Sequence, residues 1–158
     1  MKNLFIFSAL FSLLLSCNTK TTKENNTTNK ETVTKTDNSF SKTTIYEGII
    51  PCADCSGIQM TLKIYNDYSV SQNNKFELIS VYQGKEPGNV FTQKGNFNTE
   101  RGLDKDPDGT IYVLNWDQPE EKQLYYGYYS SNPEKIYLLD KDRKRIKSDL
   151  NYFLTLKK

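Results

Sequence analysis

Ile58, Met60, Leu62 and Ile64 alternate with Gln59, Thr61 and Lys63, a period of two that puts every second side chain on one face of an extended strand. Asn66-Asp67 then turns the chain. One strand ends at Ile50 before this run. Further extended stretches follow at Tyr68–Gln72, Phe76–Tyr82, Val90–Asn98, Thr110–Asn115, Gln123–Ser130, Lys135–Leu139 and Tyr152–Leu156, separated by Asn, Gly, Pro and Asp clusters. Helical periodicity is absent from every window. About eight short strands at close intervals predict an all-β fold, a small antiparallel meander that closes into a barrel and so removes its edges.

The amino end follows another rule. Lys2 supplies a positive charge, Leu4 to Leu15 form an apolar run broken only by small residues, and Leu14-Leu15-Ser16-Cys17 closes it. The run is shorter than the ~20 apolar residues that span a bilayer, so residues 1–16 read as a signal peptide. The closing residues resemble a bacterial lipobox, which implies cleavage before Cys17 and a diacylglyceryl thioether on it. Several acyl chains then hold the protein on a membrane where one would not.

From residue 17 to residue 43 the sequence is Thr, Asn, Lys, Glu and Ser, with Val33 and Phe40 as its sizeable apolar side chains. Such a stretch buries too little to order itself and is expected to be a disordered tether. As a flexible coil of about 26 residues it would average roughly 28 Å end to end and reach on the order of 85 Å when pulled straight. Residues 44–158 are then one domain, large enough for its own core.

Composition narrows the function. Of the 158 residues 36% are hydrophobic and 25% charged, ordinary for a globular chain, whereas the 13% aromatic share comes largely from eleven tyrosines and favours strands. A net charge of +2 leaves no basic footprint for nucleic acid, so no nucleic-acid partner is expected. Histidine is absent, which removes the commonest general base and metal ligand together. No nucleophile and base pair can be assembled from the motifs, and the protein is expected not to be an enzyme.

The sharpest candidate is Pro51-Cys52-Ala53-Asp54-Cys55-Ser56-Gly57, a loop between two strands. Two thiolates this close can hold Cu(I), which accepts two sulfur ligands without histidine, while structural zinc normally takes four ligands. An oxidising compartment equally makes Cys52 and Cys55 a simple disulfide. Redox catalysis would need the first cysteine at a helix amino end. All three readings stand on the residues alone, and the disulfide excludes the metal while it lasts. With Cys17 acylated, the odd count of three cysteines is accounted for.

Three other clusters have plainer readings. Asp104-Lys105-Asp106-Pro107-Asp108-Gly109 mimics the opening of a calcium loop, but Asn115 stands where a bidentate Glu belongs and Pro107 intrudes, so a polar hairpin loop is predicted. Tyr125-Tyr126-Gly127-Tyr128-Tyr129 either lines a cavity or packs, with packing the simpler role. Asp140-Lys141-Asp142-Arg143-Lys144 reads as a solvated turn.

The run from Tyr46-Glu47-Gly48-Ile49-Ile50 through the cysteine loop to Ile58 resembles the opening of the amino-terminal domain of the NlpE family, lipoproteins of copper homeostasis and envelope stress. Leu62, Gly95 with Phe97, Ile146, Asn151-Tyr152 and Leu154 fit the same domain, and the resemblance covers roughly Tyr46 to Leu156. It implies a lipocalin-like barrel on the periplasmic side of an outer membrane, with Cys52 and Cys55 linked to copper as Cu(I). The sequence ends at Lys158, so the carboxy-terminal domain of longer members, and stress-kinase signalling through it, are not expected. The partners expected are the membrane, through Cys17, and envelope proteins, with the chain itself a monomer. Two other functions stay open: an interaction module with a structural Cys52–Cys55 bridge, and a carrier of small hydrophobic ligands inside the barrel, the latter from fold analogy alone.

Overall fold

A computed structural model describes residues 42–70, 73–84 and 89–158. The signal peptide, Cys17 and the tether up to residue 41 lie outside the described residues. Eight antiparallel strands form the domain: β1 Lys42–Ile50, β2 Gly57–Asn66, β3 Lys75–Gln83, β4 Val90–Leu103, β5 Asp106–Leu114, β6 Leu124–Tyr129, β7 Asn132–Leu138 and β8 Phe153–Leu156. Each pairs with the next, and β8 returns to β1 through Tyr46 opposite Leu156 and Glu47 opposite Thr155, which closes the barrel.

The period-two reading of β2 holds residue by residue. Met60, Leu62 and Ile64 point into the barrel, where they meet Tyr46, Phe76, Leu78, Phe97, Leu114, Tyr126, Ile136 and Leu154. Leu62, Ile64, Leu114, Ile136 and Leu154 are fully enclosed, so the middle of the barrel is filled by side chains. Burial of this apolar surface is the main force holding the strands in register.

Two boundaries differ from the pattern. Lys42 and Thr43, assigned to the tether, are already strand and pair with Asn66 and Tyr65. Tyr68–Gln72, expected to be a strand, is not one in its described part: after β2 the Asp67 carboxylate accepts from the backbone N–H of Ser69 at 2.9 Å and of Val70 at 3.2 Å, which bends the chain. An Asp side chain that captures backbone donors just downstream competes with the strand ladder for them. The β4 strand also runs past its expected end at Asn98, through a bulge between Arg101 and Leu103.

A second apolar cluster lies on the outside of the barrel. Ile111 and Val113 of β5 point away from the lumen and are covered by Leu103, Tyr125 and Leu139. Gly127 makes this cover fit, since a Cβ there would come within 3.1–3.3 Å of Leu139 and Leu103 side chains. Thus β5 is buried on both faces, which is why Thr110–Leu114 reads as a nearly continuous apolar run and not as an alternation.

At the end of the barrel where β1 begins, the core turns to phenol. Burial, and then the neighbouring Tyr128, push the Tyr46 hydroxyl up to about 12; burial raises Tyr126 and, together with Tyr128 and Tyr46, Tyr112 further. An unfolded tyrosine ionises near pH 10. The folded chain therefore keeps protons that the unfolded chain gives up, and this contribution is complete below pH ~10 and lost as pH rises through about 12. Urea midpoints should fall between pH 10 and 12, and less steeply in Tyr46→Phe. Leu62→Ala should cost about 2–5 kcal/mol in the same denaturation assay at neutral pH.

Candidate functional site

Residues 51–56 connect β1 to β2 at the opposite end of the barrel from the tyrosines. The connection is short because Ile50 and Ile58 face each other as the last pair of the β1–β2 ladder. Gly57 opens β2 with φ +148°, and a Cβ there would lie 2.7 Å from Ile49 Cγ2, so the close of the loop needs glycine. The loop is also braced from the side. Ser56 N–H donates to the Gln83 carbonyl at 3.0 Å, and a Cβ on Gly84, whose φ is +79°, would come within 2.4 Å of Ser56 Oγ.

Cys52 and Cys55 are joined as a disulfide, with their Cα atoms 5.3 Å apart. Both are half-buried while Asp54 between them is exposed. One carboxylate oxygen of Asp54 lies 3.5 Å from Cys52 Sγ, and the Gly57 carbonyl oxygen lies 3.3 Å from Cys55 Sγ. With the thiols spent in the bond these are contacts and not donated hydrogen bonds. One sulfur from each cysteine and one Asp54 oxygen all fall within 4.8 Å of one another. The motif Cys-Ala-Asp-Cys held the signal for this third donor, since the middle of so tight a loop cannot carry its side chain far from either sulfur.

The loop offers no support for thiol catalysis of the kind that needs a helix: Cys52 sits between strands, with no helix dipole to stabilise a thiolate, and the adjacent Asp54 carboxylate opposes a second negative charge. A soft cation would relieve that repulsion. Two thiolates are the donors Cu(I) prefers, and with no histidine in the chain they are the softest donors it has. The residues fit copper in the reduced form alone, because a disulfide has no thiolate to give.

The other candidates are dispersed by their strands. The Asp104–Gly109 hairpin is confirmed, but its turn is only Asp104-Lys105, and Asp106 and Asp108 already belong to β5. Their carboxylates are occupied separately: Asp106 accepts from the Ser130 N–H at 2.7 Å, Asp108 pairs with Arg101, and Asp104 accepts from the Tyr129 hydroxyl. No common centre is left for calcium there. In β6 the tyrosines alternate, Tyr126 and Tyr128 facing the lumen and Tyr125 and Tyr129 facing out.

The Asp140 turn is less solvated than its charges suggest. Asp140 Oδ1 accepts from the N–H groups of Asp142 at 3.0 Å and Lys144 at 2.9 Å. That folds Arg143 over the Tyr125 ring at 4.6 Å and onto Glu100 at 2.8 Å, and places Arg145 over Tyr137 at 4.6 Å. Guanidinium faces on aromatic rings seal the outer apolar cluster.

The family model described as NlpE N-terminal domain matches residues 46–149. A solved structure from Shewanella oneidensis, assigned as a lipoprotein, is 30% identical with a TM-score of 0.51 over 72% of this chain and 86% of that one. The crystal structure of the Cpx pathway activator NlpE from Escherichia coli is 24% identical with a TM-score of 0.45 over 69% of this chain and 48% of that one. No curated protein matches. With two thirds of its length under that family model, from within β1 through β7, the chain belongs to the NlpE N-terminal domain family.

Proposed function

We propose that this chain is an envelope lipoprotein, anchored at the outer membrane by acylated Cys17 and facing the periplasm, whose barrel rim handles copper or senses envelope stress through Cys52 and Cys55. The observation that carries the reading is the approach of Cys52, Asp54 and Cys55 to within 4.8 Å on one braced, accessible loop. Family membership supports the envelope setting. The tether would let the barrel stand off the lipid surface while remaining concentrated near it.

Such a site is gated by oxidation. An envelope dithiol that reduces the Cys52–Cys55 bond passes two electrons and two protons to it, giving two thiols here and a disulfide on the donor. When Cu(I) binds, the two sulfurs act as thiolates and their protons leave to solvent. Asp54, already beside Cys52, adds negative charge that favours the bound cation over the bare thiolates. Thiol–disulfide exchange with an oxidised envelope dithiol passes the two electrons to that partner, which takes up two protons as its bond opens, while the Cys52–Cys55 bond closes and the Cu(I) is released.

Purified protein kept in a phosphine reductant should take up about one Cu(I) in competition with a chromogenic chelator, and neither the air-oxidised protein nor the Cys52→Ser/Cys55→Ser variant should. Unchanged uptake by the double variant would overturn the reading. The bond itself closes a loop of only three peptide steps, for which the chain-entropy relation gives about 2 kcal/mol. Reduction should therefore lower the thermal midpoint by several degrees without unfolding the barrel at room temperature.

A further inference from the structure

The lumen at the end where β1 begins is open. It forms a cavity of about 370 Å³, within the range of small-ligand pockets, roughly 300–1,000 Å³. Its floor is the apolar plug of the barrel, where Phe97 packs edge-on against Tyr112 at 5.3 Å. Above that plug the lumen-facing positions of β1, β4 and β5 change character at the same level, while β8 keeps Leu156. On β1 the sequence of inward positions runs from Tyr46 to Thr44; on β5 from Tyr112 to Thr110; Tyr128 of β6 faces Thr110, and Thr99 of β4 faces Tyr112. Four phenols, Tyr68 among them, and three threonines thus line the mouth, with Leu156 and Pro133 as its apolar part.

These hydroxyls are only partly engaged. Tyr46 donates to the Pro133 carbonyl at 3.1 Å, which leaves its oxygen free to accept. Tyr112 and Tyr128 share one hydrogen bond, so one of the two keeps a donor to give. None of the Thr44, Thr99 and Thr110 hydroxyls has a hydrogen-bond partner among the described residues. Tyr46 and Tyr112 are 3% and 7% exposed, so protein covers them on nearly every side, and the groups open to an occupant are the half-buried Thr44, Thr110 and Tyr128 with the exposed Thr99 and Tyr68.

The chemistry narrows the occupant. Lys42 and Glu134 both line the pocket and offset one another, so no net charge selects an ion. A wholly apolar ligand would strip water from the three threonine hydroxyls and from Tyr128 and return nothing for it. A metal finds no cluster of ligating side chains here, since among the described residues the sole such cluster is the cysteine loop. What the lining matches is a neutral molecule with many hydroxyls that donate and accept, and with a C–H face to lie against phenol rings.

We infer that this tyrosine- and threonine-lined mouth is a binding site for a short neutral saccharide. Tyr128, half-buried with its ring centroid 5.9 Å from that of Tyr112 and its plane tilted by 59°, offers a face for the sugar ring, and the threonines around it exchange hydrogen bonds with the sugar hydroxyls. The site is independent of the cysteine loop, which lies at the far end of the barrel.

The test is a titration of the isotope-labelled full chain with maltose, with N-acetylglucosamine and, separately, with octanoate, followed by amide NMR. At least one of the two sugars should give saturable shifts at Thr44, Thr99, Thr110 and Tyr128 and leave Cys52 to Cys55 unmoved. Tyr128→Phe and Thr110→Val each remove a hydroxyl while keeping shape, and each should weaken that binding about fivefold to tenfold. A dispersed spectrum for each variant shows that the fold is kept. The inference is overturned if neither sugar saturates at tens of millimolar, if octanoate alone saturates the site, or if both variants bind the sugar as the parent does. Reducing the disulfide should leave the sugar affinity unchanged, which separates this outcome from that of the copper experiment.

Discussion

Closure between β1 and β8 is the constraint on which the rest of the domain depends. Only two residue pairs, Tyr46 with Leu156 and Glu47 with Thr155, make that seam, against nine between β1 and β2. The seam is reinforced from the side: Lys157 N–H donates to the Ile45 carbonyl at 2.8 Å, and the Lys157 ammonium pairs with Glu47 at 2.8 Å. Without these contacts β1 and β8 would be free edges with unpaired backbone groups, open to pairing with another chain. The apolar lumen would lose its wall at the same place, because Tyr46 and Leu154 stand on those two strands and both are buried.

The barrel is asymmetric around its circumference. On the β5–β7 side a second apolar layer and a sheath of cations over aromatic rings cover the outer surface, ending in Lys135 at 3.5 Å over Phe153. The fourteen-residue span from β7 to β8 supplies that cover, through Leu139, Arg143 and Arg145. On the β1–β3 side the outward face mixes Ile45, Ile49, Ile79 and Val81 with the Lys63–Glu77 and Lys94–Glu77 pairs at 3.2 and 3.5 Å. The thick side carries the long connection; the thin side carries the cysteine loop.

Much of this was legible in the sequence where the two faces of a strand differ. Ile58 to Ile64 alternates because one face is core and the other water, and that pattern names both the strand and its inward residues. Legibility fails where tertiary contacts replace water. In β5, Ile111 and Val113 look like core but lie outside, under cover that residues distant in sequence provide. Tyr68–Val70 has the composition of a strand, yet the Asp67 carboxylate takes its backbone donors. The cysteine pair was visible from spacing; the Asp54 carboxylate beside it was in plain view, but its place near both sulfurs follows once Gly57 and Gly84 fix the loop. The hydroxyl-lined mouth was hardest to read, because Thr44, Thr99 and Thr110 are scattered through the chain and only the strand register places them side by side.

The apolar plug through the middle of the barrel separates the tyrosine-lined mouth from the cysteine rim, so the lumen is not a tunnel. Leu62, Ile64, Leu114, Ile136 and Leu154 leave nothing between the two ends that could flow or shift gradually. Whatever occupies one rim is therefore sterically invisible to the other, and the two can evolve, fill and empty as separate surfaces of one body. Communication between them would have to travel along the strands that run from one rim to the other, β1 and β2 among them, and a ladder of paired residues moves by whole registers or stays where it is.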